Sequence, residues 1–137
     1  MVILQILTLW LMLAGEPACA ERALCSCAIR SQELSFTRAE AVFTGVATEL
    51  GELAAEEGQP VTFRVTRRWK GTAAAGTIVV RDAHPCGVYF RAGSEYVVYA
   101  LRSERGQLYT TFCARSRLLS EGAEDVRALD AMTPRSR

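Results

Sequence analysis

The stretch "VTFRVTRRW" at 61–69 decides how the rest of the chain is read. Val61, Phe63, Val65 and Trp69 fall on one side of an extended chain, and Thr62, Arg64, Thr66 and Arg68 on the other. Apolar and polar residues that alternate with period two mark a strand with one buried face. Working outward, "AVFTGVATEL" at 41–50 alternates as well, with Val42, Val46 and Leu50 on one face. Gly45 inside that run marks a bulge or a sharp bend, of the kind that strands of a small barrel need. The β-branched and aromatic runs "GTIVVRD" at 76–82, "EYVVYAL" at 95–101 and "QLYTTFC" at 107–113 add three more strands. Turn residues separate them, in "EEGQP" at 56–60, "KGTAAAG" at 70–76, "RAGS" at 91–94 and "SERGQ" at 103–107.

A helix is expected on each side of this meander. "SQELSFTRAEA" at 31–41 has Ser31 as its cap, and "SEGAEDVRALDAM" at 120–132 has Ser120. Glu121, Glu124 and Asp125 complement the positive end of the second helix. Leu119, Ala123, Val126, Leu129 and Met132 form its apolar stripe. Helix, five short antiparallel strands and helix, with a bend in the first strand, predict a mainly β domain. The five-stranded OB-type barrel fits this count better than a sandwich with more strands.

The first twenty residues are of another kind. Val2 to Ala14 is a 13-residue run with only Gln5 and Thr8 polar, followed by "ACA" at 18–20. That is too short to span a bilayer and has the form of a secretory signal cut after Ala20. No basic residue precedes the apolar run, and Glu16-Pro17-Ala18 does not fit the pattern ahead of a lipid-anchored Cys19. Residues 21–137 are then one exported domain, secreted or, in a bacterium, in the periplasm or envelope, with its core at 25–132. No transmembrane span is expected.

Cysteine usage agrees with export. Of Cys19, Cys25, Cys27, Cys86 and Cys113, the cut removes the first and leaves four, an even number suited to disulfides in an oxidising compartment. Cys25 and Cys27 are poorly placed to bond each other, because residues i and i+2 of an extended chain sit on one face too far apart. Each therefore reaches to Cys86 or Cys113, and both pairings close long loops. One histidine, His84, and the lack of any Cys-x-x-Cys spacing speak against a zinc or redox site.

Several function classes lose ground here. Residues 21–137 carry 16 basic and 14 acidic side chains, too even a balance for nucleic acid. No nucleophile or base motif surrounds His84, so no enzyme and no cofactor are expected, and Tyr89, Tyr96, Tyr99 and Tyr109 read as barrel wall and rim. Arg64, Arg68 and Lys70 share the polar face of the second strand, a candidate contact for a sulfated polysaccharide through counterion release. Acids such as Glu49 and Glu95 interleave with them. A monomer is expected.

Taken in order, "CSC" at 25–27, "AEAVFTGVA", "VTFRVTRRWKG", "CGVYFRAGSEYVVYA" and "LYTTFCARSRLL" resemble the netrin-like superfamily. Within it the chain looks most like the N-terminal domain of the tissue inhibitors of metalloproteinases, over residues 25–130. The resemblance implies an OB-fold and the bridges Cys25–Cys86 and Cys27–Cys113. It also implies a wedge that enters a zinc metalloprotease. Cys25 would chelate the partner's zinc through its free amine and carbonyl oxygen, Ser26 would probe the adjoining pocket, and Cys27 would anchor the segment. The loop His84, Pro85, Cys86, Gly87 and Val88 would be the second edge. The chain departs from the family in the four residues Glu21-Arg22-Ala23-Leu24 ahead of Cys25, in having no third bridge in this domain, and in having no cysteine-rich C-terminal domain. A netrin-like binding or adhesion module without inhibition is the alternative.

Overall fold

The computed structural model describes residues 25–28, 30–71 and 76–133. The expected export signal at 1–20, the four residues 21–24 and the basic end at 135–137 lie outside the described residues. The elements are α1 (Gln32–Arg38), β1 (Ala41–Leu50), β2 (Gln59–Lys70), β3 (Thr77–Asp82), β4 (Glu95–Arg102), β5 (Leu108–Thr110), β6 (Arg117–Leu118) and α2 (Ala123–Met132). Short 3-10 turns at Phe112–Ala114 and Leu119–Glu121 flank β6.

The strands close on themselves. β1 pairs antiparallel with both β2 and β4, β2 with β3, and β4 with β5; a parallel β3–β5 contact at Arg81↔Tyr109 and Asp82↔Thr110 completes the ring. This is a mainly β, five-stranded barrel of the OB type with two helices and two disulfides. Closure shortens the unpaired edges that could recruit another chain. The last strand is shorter than the 107–113 run, because its ladder stops at Thr110 and Phe112–Ala114 turns to place Cys113. β6 then resumes on the same side of β4, pairing Leu118 with Tyr96.

Two apolar layers form. Ala41, Phe43, Ala47, Val61, Phe63, Val80, Phe90, Tyr96, Val98 and Ala100 fill the barrel. Phe63 is the hub, meeting Phe43 and Phe90 edge-on at centroid distances of 5.6 and 5.0 Å, the geometry ring quadrupoles favour. The second layer, Ala39, Val42, Val97, Tyr99, Ala114 and Leu129, lies outside the barrel wall, with Phe36, Trp69 and Met132 packed on it. Two expectations are corrected by this division. In β1 the interior is lined by Ala41, Phe43 and Ala47, and Val42 faces outward. In β2 the alternation does not carry from Phe63 to Trp69. The β1–β2 register slips between Val42/Phe43, Thr44/Gly45 and Ala47/Glu49, and each slip adds a residue that turns the next part of the strand to the other face. Trp69 thus joins the outer layer and donates to Asp130 at 2.9 Å, with Arg67 stacked 4.6 Å over its ring. Gly45 sits at such a slip, where a β-carbon would come within 3.0 Å of the Arg64 carbonyl.

The helices obey local chemistry to different degrees. Ser31 caps α1 by accepting from the Leu34 amide at 3.1 Å. Ser120 does not cap α2: it lies in the preceding 3-10 turn, and Gly122 is the cap residue, with no side-chain hydrogen bond. Gly122 is needed there because a β-carbon would meet Val97 Cγ1 at 2.8 Å. Ala123 is exposed, and the buried positions of α2 are Asp125 and Leu129.

Asp125 is the polar pin of α2. Its carboxylate accepts from the Tyr99 hydroxyl at 3.1 Å and from Arg115 at 3.0 Å, with Arg117 at 3.5 Å. Gln32 donates to both Tyr99 Oη and the Asp125 carbonyl, so α1, β4 and α2 are tied at one point. Burial, and after it the Asp125 charge, push the Tyr99 phenol up from 10.0 to about 12. A raised folded-state pKa means that the stabilisation is complete below the unfolded value. It is lost as pH rises from about 10 to about 12. We expect Tyr99→Phe to cost about 1–2 kcal/mol at neutral pH through lost hydrogen bonds. The same change should remove the latest component of the alkaline tyrosinate absorbance titration.

Candidate functional site

The site is built where the leading segment meets the barrel. Two disulfides join it, Cys25–Cys86 with Cα atoms 5.6 Å apart and Cys27–Cys113 with Cα atoms 5.3 Å apart. The Phe112 amide donates to the Cys86 carbonyl at 3.0 Å, linking the two receiving segments to each other. Cys25 is half-buried, and Ser26, Cys27 and Ala28 are exposed. A segment with no secondary structure of its own is therefore held at both of its cysteines, and the side chain between them faces solvent.

The loop that receives Cys25 is shaped by a residue that sequence patterns do not single out. Asp82 ends β3 with its side chain fully buried, and its two oxygens accept from the Val88 amide at 2.7 Å and the Tyr89 amide at 2.8 Å. Gly87 is buried between them, and a β-carbon there would lie 2.5 Å from Asp82 Oδ1. The carboxylate thus requires glycine at 87 and folds residues 84–89 around itself. Tyr89 is turned into the left-handed region at φ 62°, uncommon for a bulky residue. Its hydroxyl returns to the Pro85 carbonyl at 2.9 Å, and its ring is 57% exposed. Phe112, beside Cys113, is 44% exposed. Tyr89, on the loop that carries Cys86, and Phe112, beside Cys113, are thus exposed aromatics close in sequence to the two bridged positions.

The residues named from sequence divide between two places. Cys25, Ser26, Cys27, Cys86 and Cys113 come together in the clamp, with Pro85 exposed, Gly87 buried and Val88 half-buried. His84 stands between the clamp and the barrel end: its Nε2 is 3.2 Å from Asp82 Oδ2, its ring lies edge-on to Tyr89 at 4.2 Å, and it lines a cleft on the barrel end. Among the described residues no three His, Cys, Asp or Glu side chains converge as a metal site. Compared with protein-family models and with curated proteins, the chain matches none.

The basic residues of β2 do not share the single face that their pattern implies, because the register slip between Thr44 and Gly45 falls between Arg64 and Arg68. Arg64 and Arg68 are exposed, but the Lys70 ammonium donates to the Phe36 and Thr37 carbonyls at 2.9 and 3.0 Å. Lys70 satisfies carbonyls near the end of α1, where a cation is favoured. Among the described residues no helix is long and apolar enough to cross a membrane.

Sequence patterns assign Asp82 no role, but two features bear on the edge once the fold is known. An aspartate ending a strand that buries its inward positions needs a partner inside, and Gly87 directly after a bridged cysteine suggests close approach. Tyr89 and Phe112 carried no signal, because exposure of an aromatic depends on what the rest of the chain leaves uncovered.

Proposed function

We propose that the protein is an exported OB-fold binding protein of the tissue-inhibitor type, which engages a zinc metalloendopeptidase with the edge made by residues 25–27 and the 84–88 loop. The observation that supports this most is the pair of bridges Cys25–Cys86 and Cys27–Cys113, which holds exposed Ser26 as a fixed projection beside that loop. A preformed projection loses little conformational entropy on entering a cleft, which is how a short segment can bind a protease tightly. Tyr89 and Phe112 would supply apolar contact area around it.

The chemistry sets a condition. Zinc takes a nitrogen lone pair, which a free α-amine has and a peptide amide lacks. The partner's zinc is therefore reached only if the chain begins at Cys25, and residues 21–24 would block chelation for as long as they remain. Two forms of the folded, disulfide-intact protein test this, one beginning at Glu21 and one at Cys25, each assayed against a matrix-type zinc endopeptidase. The Cys25 form is expected to inhibit at micromolar concentration, and the Glu21 form to leave the protease active. Acetylating the Cys25 amine should abolish the effect. Full protease activity in the presence of the Cys25 form at micromolar concentration would end this reading.

A further inference from the structure

Between α1, β4 and the turn after β5 lies a small pocket lined by Arg30, Ser35, Arg38, Tyr99, Leu101 and Ala114. At about 10 Å³ it has room for a single water-sized atom. Its frame is fixed from two sides. Gln32 donates to the Tyr99 hydroxyl at 3.0 Å and to the Asp125 carbonyl at 2.8 Å, which holds α1 against β4 and α2. The Cys27–Cys113 bridge fastens the chain shortly before Arg30 to the residue next to Ala114. Ser35 is 6% exposed, and its hydroxyl has no hydrogen-bond partner among the described residues. Buried polar groups are paired in nearly all folded proteins, so this hydroxyl is placed to serve something outside the chain. The Tyr99 hydroxyl is already committed, since it also donates to Asp125 at 3.1 Å.

The pocket is positive. Arg30 and Arg38 make no ion pair or hydrogen bond among the described residues. Asp125, the carboxylate that meets Tyr99, is matched by Arg115 at 3.0 Å and Arg117 at 3.5 Å, and Glu40 by Arg102 at 2.9 Å. Two guanidinium groups can only donate, and the Ser35 hydroxyl is free to do so, which selects an anion. Size decides which kind. One oxygen fills the pocket, and a carboxylate then has a single oxygen left for the guanidinium forks at the rim. A phosphate or sulfate would have three left, beside the apolar walls of Leu101 and Ala114. We propose that this pocket is a binding site for one carboxylate group. It does not depend on the protease reading, because none of its residues belongs to the 25–27 segment or the 84–88 loop.

The test is an amide-shift titration of the isotope-labelled, disulfide-intact protein beginning at Glu21. The probes are acetate, acetyl-glycyl-glycine with a free carboxylate, the same peptide as its amide, and phosphate, all at millimolar concentration and matched ionic strength. Acetate or the free-acid peptide is expected to give saturating shifts at the amides of residues 30, 35, 38 and 114, and the amidated peptide none. Equal affinity for the two assigns the site to small acids; a peptide bound about tenfold more tightly assigns it to a chain terminus. Ser35→Ala and Arg38→Gln should each weaken the carboxylate by about tenfold, the effect of one lost polar contact of about 1.4 kcal/mol. Ser35→Ala should leave Tm unchanged or raise it, because the hydroxyl it removes has no partner within the fold. No saturating shift with either carboxylate overturns the proposal. So do equal shifts with the amidated peptide, tighter binding of phosphate at these residues, unchanged affinity in both variants, or a clear fall in Tm for Ser35→Ala.

Discussion

Replacing Cys27 and Cys113 together by serine is expected to lower the free energy of unfolding by about 3–4 kcal/mol. The bridge spans a sequence separation of 86 residues, but Cys25–Cys86 already cross-links the unfolded chain, so the loop it newly closes is about 30 residues and contributes about 3.6 kcal/mol on the chain-entropy account. Spread over a domain of this length, the loss corresponds to a fall in Tm of about 12–16 °C. The native barrel should survive at low temperature, because the bridge joins the leading segment to a turn after β5 and removes nothing from the interior layer around Phe63. The local consequence is sharper. With Cys27 released, the segment is held at Cys25 alone and Ser26 is no longer fixed from both sides. Thermal unfolding with circular dichroism measures the global effect, and protease nicking at residues 26–31 reports the local one. A fall in Tm of less than about 5 °C would show that the unfolded chain is already constrained elsewhere.

Asp82→Ala is expected to cost about 3–4 kcal/mol and to dissolve the 84–89 loop. The side chain is fully buried and accepts two backbone amides at 2.7 and 2.8 Å. A hydrogen bond to a charged group is worth about 1.5–3 kcal/mol, and an amide left without its acceptor adds a desolvation cost. The left-handed Tyr89 backbone is held by one of these bonds, so its strain is released once the carboxylate is gone. Asp82→Asn should cost less, since the amide oxygen can still accept one of the two hydrogens. Gly87→Ala should damage the same loop from the other side, by driving a methyl group against Oδ1. Amide exchange at Val88 and Tyr89 reads the loop directly, and urea unfolding reads the total. Retained protection at both amides in Asp82→Ala, with stability within about 1 kcal/mol of the native protein, would show that the disulfide alone shapes the loop.

These two variants also separate the clamp from the barrel. Both act on the edge proposed to meet a protease, and neither touches the Asp125 pin. A protein that loses inhibition through Asp82→Ala while its barrel stays folded would identify loop shape, in addition to the Cys25 amine, as a requirement for binding.

Much of the fold was legible in the residues. The bounds of β1 agree with the alternating run at 41–50, and β2 to β4 lie within two residues of theirs, because alternation against a half-buried sheet is a local property. Ser31 capping α1 is likewise local, a hydroxyl three residues from the amide it serves. The two bridges pair as the resemblance implied, and spacing alone had left two arrangements open. Other features depend on partners far away in the chain. The parallel β3–β5 contact that closes the barrel, the register slips that send Trp69 outward and the contact with Val97 that makes Gly122 the α2 cap are each set by where another strand lies. Asp82 and Asp125 were ordinary acids in the sequence, one at a strand end and one in a first helical turn. Burial made them the fastenings of the loop and of the helix. Local pattern determines which residues alternate and which cap; only closure of the barrel decides which polar groups are taken out of water, and those groups then organise the surface that binds.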